Sequence, residues 1–459
     1  MKNRLEVYGG KIVSIVPFLF FLAGAVFLGV NSCPDEYGYW PITTGALILG
    51  MIITKNRSEY ADVLIEGMSQ KMVMIMVSAW LFASLIGSLM YETGFVEALI
   101  WICDKTGVKG RGFVALSFII SSIIGTSTGT SVGTIVTCTP ILYPAGYLLG
   151  ARPEVLAAAI LGGGAFGDNL SPISDTTIAS ALTQNTDIGG VVKSRLKYAL
   201  PSAFFATILY YIFGEGTTVG AKENIIKDFS NNAGLPMIIV PVVIIVLCIK
   251  KRHLLEALFW GIIAGIVTGL VFKLITFEKL FYLDPENHAA KGVILDGIKG
   301  GVGISVFTIL LLGMVHFIKS AGVIDSLVKW SGRKIKSARQ TDFMIMITTL
   351  LTNCIIAHNT VTIVSLGEFA LRTGERYNIH PYRRANLLDV TANTFQHILP
   401  YLITVILAGA YTSFGEKYGA PRLTPFSIGI RNFHSWMLFI VILFSAISGY
   451  GRKFISDKE

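Results

Sequence analysis

The sequence predicts an all-α polytopic membrane protein made of two inverted repeats of five crossings each, with two re-entrant hairpins and two broken helices, and three observations carry that prediction. The chain is 53% hydrophobic with a mean hydropathy of +0.63 and only 15% charged residues, a balance that soluble enzymes do not show. Apolar segments of spanning length recur from end to end. Their order in the second half repeats that of the first, and an odd number of crossings per half turns one half over relative to the other.

The elements follow in order. The apolar run from Ile12 to Val30 comes after a polar, basic start. It is too long for the core of a secretory signal and has no clear small-residue cleavage site, so it predicts the first transmembrane helix, 11 to 30. Further spans fall at 39 to 54, 70 to 92, 154 to 184, 194 to 214, 233 to 249, 254 to 275, 301 to 318, 385 to 410 and 434 to 451, making ten crossings. Two other stretches, 113 to 148 and 341 to 371, have room for two half-helices each. Their centres are polar, Gly125-Thr-Ser-Thr-Gly-Thr-Ser131 and Ala357-His-Asn-Thr360. They read as re-entrant hairpins, whose irregular tips are tolerated only against protein or a wet cavity. A constant offset pairs Gly94 with Gly322, Leu99 with Leu327, Thr134-Ile-Val136 with Thr362-Ile-Val364, Pro153 with Pro381 and Pro172 with Pro400. The first repeat therefore occupies 1–214, with its hairpin at 113–148 and broken helix at 154–184, and the second occupies 233–459, with hairpin 341–371 and broken helix 385–410.

The net charge of +9 does not indicate nucleic acid, because the 38 Lys and Arg residues sit in short clusters between apolar runs, as orientation signals do. The strongest clusters are Lys250-Lys251-Arg252, the run from Lys329 to Arg339, and Arg372, Arg376, Arg383 and Arg384. With both termini placed in the cytoplasm these clusters fall inside, as the positive-inside rule expects for a protein of the plasma membrane. The five cysteines show no metal spacing, and Cys33 stands alone in a short loop.

The most informative stretch is Leu161-Gly-Gly-Gly-Ala-Phe-Gly-Asp-Asn-Leu-Ser-Pro-Ile-Ser-Asp-Thr-Thr177, which puts Asp168 and Asp175 into an apolar chain. Carboxylates in membrane segments cost a few kcal/mol each by insertion scales (~2.5–3.5) and mark ion or substrate paths. Gly167 and Pro172 interrupt the helix and would free backbone carbonyls beside Asp168, Asn169 and Ser171. Hard cations such as Na+ take oxygen ligands, so Asp168 and Asp175, with Asn169, Ser171, Thr176 and the tip hydroxyls of Thr128 and Thr130, form the candidate cation and proton group. The second half offers neutral polar groups at matching places: His358, Asn359 and Thr360 at the tip, and Asn393, Thr394, Gln396 and His397 before Pro400. With Ser127 they make the candidate solute-binding group, suited to hydrogen-bonding an organic anion or an amino acid. Blander roles compete with these. Gly162-Gly-Gly164 suits close helix packing, Asp175 suits a helix cap, and Glu368 and Asp389 suit pairing with Arg372 or Arg384.

The run from Gly164 to Thr177 closely resembles the signature of the NhaC-type Na+/H+ antiporter family, which combines Gly-Asp, Ser-Pro and Ser-Asp-Thr-Thr at this spacing. That family is placed in the ion-transporter superfamily with the divalent-anion/sodium symporters. The resemblance implies that Asp168, Asn169, Ser171, Asp175 and Thr176 handle the cation opposite the tip around Thr128. It also implies a homodimer and an elevator motion of hairpins and broken helices past a scaffold. The tip His358-Asn-Thr360 is similar to the Ser-Asn-Thr tips of the symporters, with His replacing Ser. Some members of the family exchange Na+ for H+ alone, others exchange malate for lactate with both ions, and others carry amino acids. The expected function is Na+/H+ antiport, the alternative a cation-coupled carrier of a small organic acid or amino acid, with no cofactor beyond the moving ions. A channel fits less well with inverted repeats. An enzyme would need a nucleophile and base, a His-Glu-x-x-His cluster or a phosphate loop, and the sequence has none of these.

Overall fold

Proline and glycine punctuate this chain, and the computed structural model shows what each mark does. It describes residues 5–31, 36–216, 229–250, 252–286 and 288–455; Cys33 and Lys251 lie outside them. The first half runs through α1 (Val16–Val30), α2 (Tyr39–Ile53), α3 (Arg57–Met68), α4 (Lys71–Glu92), α5 (Phe95–Thr106), α6 (Gly110–Thr128), α7 (Ser131–Leu148), α8 (Pro153–Leu170), α9 (Asp175–Thr183) and α10 (Ile188–Phe213). The second continues with α11 (Ile239–Ile249), α12 (Leu254–Val271), a short antiparallel ribbon pairing Tyr282–Asp284 with Ala289–Lys291, α13 (Val293–Gly300), α14 (Val302–Ser320) and α15 (Val323–Arg333). It ends with α16 (Ala338–Ile356), α17 (Asn359–Arg376), α18 (Pro381–Phe395), α19 (Ile403–Ala410) and α20 (Phe433–Ser448).

Counterpart helices start at the sequence offset: α6 and α16 at 110 and 338, α7 and α17 at 131 and 359, α8 and α18 at 153 and 381, α9 and α19 at 175 and 403. Their caps match as well. Gly94 and Gly322 precede α5 and α15 in left-handed conformation, with φ of 75° and 78°. Gly129 closes α6 at φ 68°, where glycine is free to go, while its counterpart Ala357 closes α16 at φ 56°. Pro153 and Pro381 each open a helix at the first position, where the missing N–H costs nothing.

Among the described residues six helical stretches are long and apolar enough to cross a membrane: Val13–Val30, Lys71–Glu92, Gly110–Thr128, Ile188–Phe213, Leu254–Val271 and Val293–Ser320. The expected spans 39 to 54, 233 to 249 and 434 to 451 form helices of 15, 11 and 16 residues, each short of the roughly 20 residues that a bilayer core requires. The helices α3, α5 and α15 were not expected. Their composition gives no apolar run of spanning length, yet each buries one side, as Tyr60 and Val63, Val96 and Ile100, and Val323 and Ile324 show. The cluster of loop cations also needs correcting. Arg383 and Arg384 are buried in α18, Arg383 on Asp342 at 2.9 Å and Arg384 on Gln184 at 3.1 Å and the Ile379 carbonyl at 2.8 Å.

The tightest helix pair is α6 on α8. A Cβ at Gly163 would lie 2.6 Å from the Phe118 carbonyl oxygen, and one at Gly167 would lie 2.3 Å from both the Gly125 carbonyl carbon and the Thr126 nitrogen. Small residues there let two backbones approach closely, so Gly163 and Gly167 serve packing. That contact holds the break after α8 against the tip after α6.

Candidate cation site

Leu170 ends α8 because Pro172 has no N–H to offer and drives Ser171 into extended backbone, φ −73° and ψ 128°. The chain restarts at α9, where the Ser174 hydroxyl accepts the Thr176 N–H at 3.3 Å and Asp175 fills the first turn. Asp168, only 3% exposed, is bound back across this break: the Ser174 hydroxyl donates to its Oδ1 at 2.5 Å and lies 2.9 Å from Thr176 Oγ1. The tip between α6 and α7 abuts the same break, for a Cβ on Gly129 would lie 2.8 Å from Ile173 Cγ1 and 3.1 Å from the Ser174 nitrogen.

The second half meets this break from the other side. Thr360 donates its hydroxyl to Asp175 Oδ2 at 2.7 Å, and Asn359 Nδ2 donates to Asn393 Oδ1 at 2.9 Å. A cavity of about 90 Å³ lies between the two halves. Its polar wall is Thr130, Ser131, Asp168, Asp175, His358, Asn359, Gln396 and Thr404, and its apolar wall comes mainly from Met72, Ile75, Met76 and Ala79 of α4. At about 30 Å³ per water it has room for a partly hydrated small cation. Asp168 lies deep and Asp175 is exposed at the mouth.

The candidate residues therefore divide. Thr130, Asp168, Asp175, His358, Asn359 and Gln396 share the cavity, and Thr360 touches it through Asp175. Ser127 is turned back onto the Ile123 carbonyl at 2.8 Å, and Thr128 onto the carbonyls of Gly125 and Thr130 at 3.4 and 3.5 Å. Asn169 and Ser171 are buried in the break, with Ser171 Oγ accepting the Ile173 N–H at 3.4 Å. Thr176 and Asn393 form a layer behind the cavity, 3.5 Å apart. Thr394 bonds the Thr391 carbonyl at 2.7 Å, and His397 lies 3.0 Å from the Asn393 carbonyl.

Sequence reading missed the group that ties this layer together. Arg195 of α10 and Asp389 of α18 are both 0% exposed and form an ion pair at 2.5 Å. Arg195 also donates to Asn386 Oδ1 at 2.9 Å, to Thr177 Oγ1 at 2.9 Å and to the Asn169 carbonyl beside Asp168. Asp389 accepts from Asn393 at 2.7 Å and Ser180 at 3.1 Å. The expected pairing of Asp389 with Arg384 is thus replaced by pairing with Arg195, whereas Glu368 does pair with Arg372 on the surface. The available signal was the four-residue spacing of Asp389 and Asn393, which puts both on one helix face inside an apolar run. With Asp389 neutralised by Arg195, and no Lys or Arg paired to Asp168 or Asp175 among the described residues, the cavity carries uncompensated acid groups. Such a site accepts a cation or protons.

The family model described as Na+/H+ antiporter family matches residues 14–215 and 231–414, most of the chain and all of the site described above. The chain belongs to the Na+/H+ antiporter family. Among its curated relatives are the malate-2H(+)/Na(+)-lactate antiporter of Bacillus subtilis, 23% identical over 89% of this chain and 88% of the relative, and the Na(+)/H(+) antiporter NhaC of Alkalihalophilus pseudofirmus, 20% identical over 58% of each. The arginine/ornithine antiporter ArcD of Halobacterium salinarum is 21% identical over 94% of this chain and 93% of its own length. The solved structure of the Alcanivorax borkumensis YdaH transporter aligns over 95% of this chain and 98% of its own, at 13% identity and a TM-score of 0.37. The chain is an integral, multi-pass membrane transporter with Na+ and H+ as its ions.

Proposed function

We propose that this antiporter moves Na+ and H+ in opposite directions through one site, the cavity that holds Asp168 and Asp175. The observation that carries this reading is the pair of carboxylates at a helix break, without a Lys or Arg partner among the described residues, closed over by both tips. Na+ as cargo is held by the Asp168 carboxylate with Asp175 and the oxygens of Thr130 and Ser131 nearby. A proton on Asp168 removes the charge that holds Na+, so the two ions compete for one group, and that competition makes the movement an exchange. Arg195 keeps Asp389 neutralised and donates to the carbonyl of Asn169, which holds the break in place.

The matched helix starts and caps support two inverted repeats, with α6–α7 and α16–α17 as re-entrant hairpins and α8–α9 and α18–α19 as broken helices. An elevator motion, a homodimer, a plasma-membrane location and cytoplasmic termini complete the reading, supported by family resemblance and by the basic clusters. A second reading is a Na+-coupled exchanger of a small organic acid or amino acid. The observation favouring it is that His358, Asn359, Gln396 and Thr404 face the same cavity as neutral hydrogen-bonding groups, with His358 Nδ1 and Gln396 Oε1 buried and without a protein partner. Proton flux into sealed proteoliposomes, followed with a pH-sensitive dye, separates the two. A response to Na+ alone establishes Na+/H+ antiport, and a response only when malate, lactate or an amino acid is added establishes the solute carrier.

A further inference from the structure

A second and larger cavity, about 800 Å³, lies further along the same helix that walls the cation site. On α4 the site is lined up to Ala79, and the large cavity begins at Ser84. Past α19 the arrangement repeats, with Thr404 in the site and Ala410 and Tyr411 in the large cavity. At 1.5 Å of rise per residue the two are separated by about 8 Å of helix, against a hydrocarbon core of roughly 30 Å. Trp80 fills that gap at 0% exposure, with Ala83 at 1% and Leu407 at 0%. The layer is gripped on both sides: the Tyr411 hydroxyl donates to the Trp80 carbonyl at 3.0 Å, and a Cβ on Gly301 would lie 2.8 Å from that same oxygen. The cation site, by contrast, takes Met72 from the start of α4 and Leu254 from the start of α12, two residues beyond Arg252.

We infer that the large cavity is the vestibule on the face opposite Lys250, and that the Trp80 layer is the closed gate between it and the cation site. This rests on the alternating-access reading above. In the conformation described, the site lies on the Lys250 side of that layer. For the site to face the other way, the Tyr411–Trp80 hydrogen bond must break and the layer must part, because the fully buried Trp80 lies on α4 between the residues that line the two cavities.

The test is sidedness of thiol labelling, which requires no transport activity. Ser88→Cys reports the vestibule and Ile75→Cys the site, each in the full chain in sealed vesicles with a charged, impermeant thiosulfonate added to one face at a time. Labelling of the unsubstituted protein, with its five native cysteines, is subtracted. Ser88→Cys is expected to react from one face and Ile75→Cys from the other. Adding Trp80→Ala to Ile75→Cys should raise its labelling from the vestibule face at least tenfold. Tyr411→Phe, which removes the hydrogen bond to the Trp80 carbonyl, should do the same and decides the matter if Trp80→Ala does not reach the membrane. Equal labelling of both positions from one face, or no change in either gate variant, overturns the inference. Failure of the Na+/H+ reading shows instead as absent Na+-driven proton flux with the sidedness intact.

Discussion

The two helix breaks of this antiporter sit at matching places and do different work. The last turn of α8 carries Asp168, held by Ser174 and backed by Thr176; at the end of α18 the same place carries Gln396, whose Nε2 reaches the Ala357 carbonyl at 3.5 Å. The helices beside the breaks differ in the same way. Gly125 lets α6 press on Gly167, whereas its counterpart Asn353 in α16 reaches across to the Ala392 carbonyl at 2.9 Å. One half brings backbones together with glycine and carries charge, and the other bridges with side-chain amides and stays neutral. On the reading proposed above, the break with the carboxylate supplies the cation site and its counterpart supplies neutral walls.

The largest expected effect breaks this comparison directly. Asp168→Asn should reduce Na+-driven proton flux in proteoliposomes to the level of empty vesicles, while the protein still elutes as a folded species in detergent. Gln396→Leu at the counterpart position should retain flux, with the Na+ concentration for half-maximal rate moved by less than about tenfold, the equivalent of 1.4 kcal/mol. Retained wild-type exchange in Asp168→Asn would remove the cation assignment altogether.

Next in size is the Arg195–Asp389 pair, which joins the halves. Arg195→Met leaves Asp389 buried without its partner, an error that costs about 3–5 kcal/mol, and thermal unfolding in detergent should fall accordingly. Adding Asp389→Leu removes the stranded charge and should restore most of that stability. If the double variant is no more stable than Arg195→Met, the pair does more than neutralise itself, and Asp389 belongs with the carboxylates that carry protons.

Much of the frame was legible in the sequence because its marks are local. Pro153 and Pro381 open helices, Gly129 closes one, and Pro172 breaks one, through backbone effects that need no knowledge of neighbours. That Asp168 and Asp175 stand out was legible for a similar reason, since a carboxylate in an apolar run is costly wherever it lies, and the structure brings both to one cavity. Arg195 was not, because it stands beside Lys193 and Lys197 and looks like an orientation signal until α18 is folded against α10. Arg383 and Arg384 misled in the same way. At the tip, Ser127 and Thr128 direct their hydroxyls to carbonyls one turn back, as hydroxyls within a helix readily do, and this orientation is set by the fold and not by composition.

The two packing styles make a smaller prediction. Gly167→Ala forces a methyl into the α6 backbone and should cost about 1–3 kcal/mol as overpacking does, seen as a lower melting temperature with loss of flux, since the break moves with it. Asn353→Ala removes one hydrogen bond and should cost about 0.5–1.5 kcal/mol with flux retained. A reversed order would mean that the amide bridge of the second half is the stiffer joint.

The smallest effect tests whether burial, rather than the particular helices joined, sets the strength of a link. α10 and α18 meet along their length, and two of their links differ sharply in exposure: the buried Arg195–Asp389 pair, and the contact at the exposed start of both helices, where the Tyr382 hydroxyl donates to Asp187. That hydrogen bond first, and the Gly190 N–H second, hold the Asp187 carboxyl below the usual carboxylate range. A lowered acid stabilises the fold above its unfolded value of about 3.9 and loses that contribution as pH falls through the folded value. Melting curves for Tyr382→Phe and the parent protein should therefore differ slightly at pH 6 and converge toward pH 3. Solvent screening at an exposed site keeps the difference small. A gap as large as that of Arg195→Met would show that this surface contact, and not the buried pair, is the main hinge between the halves.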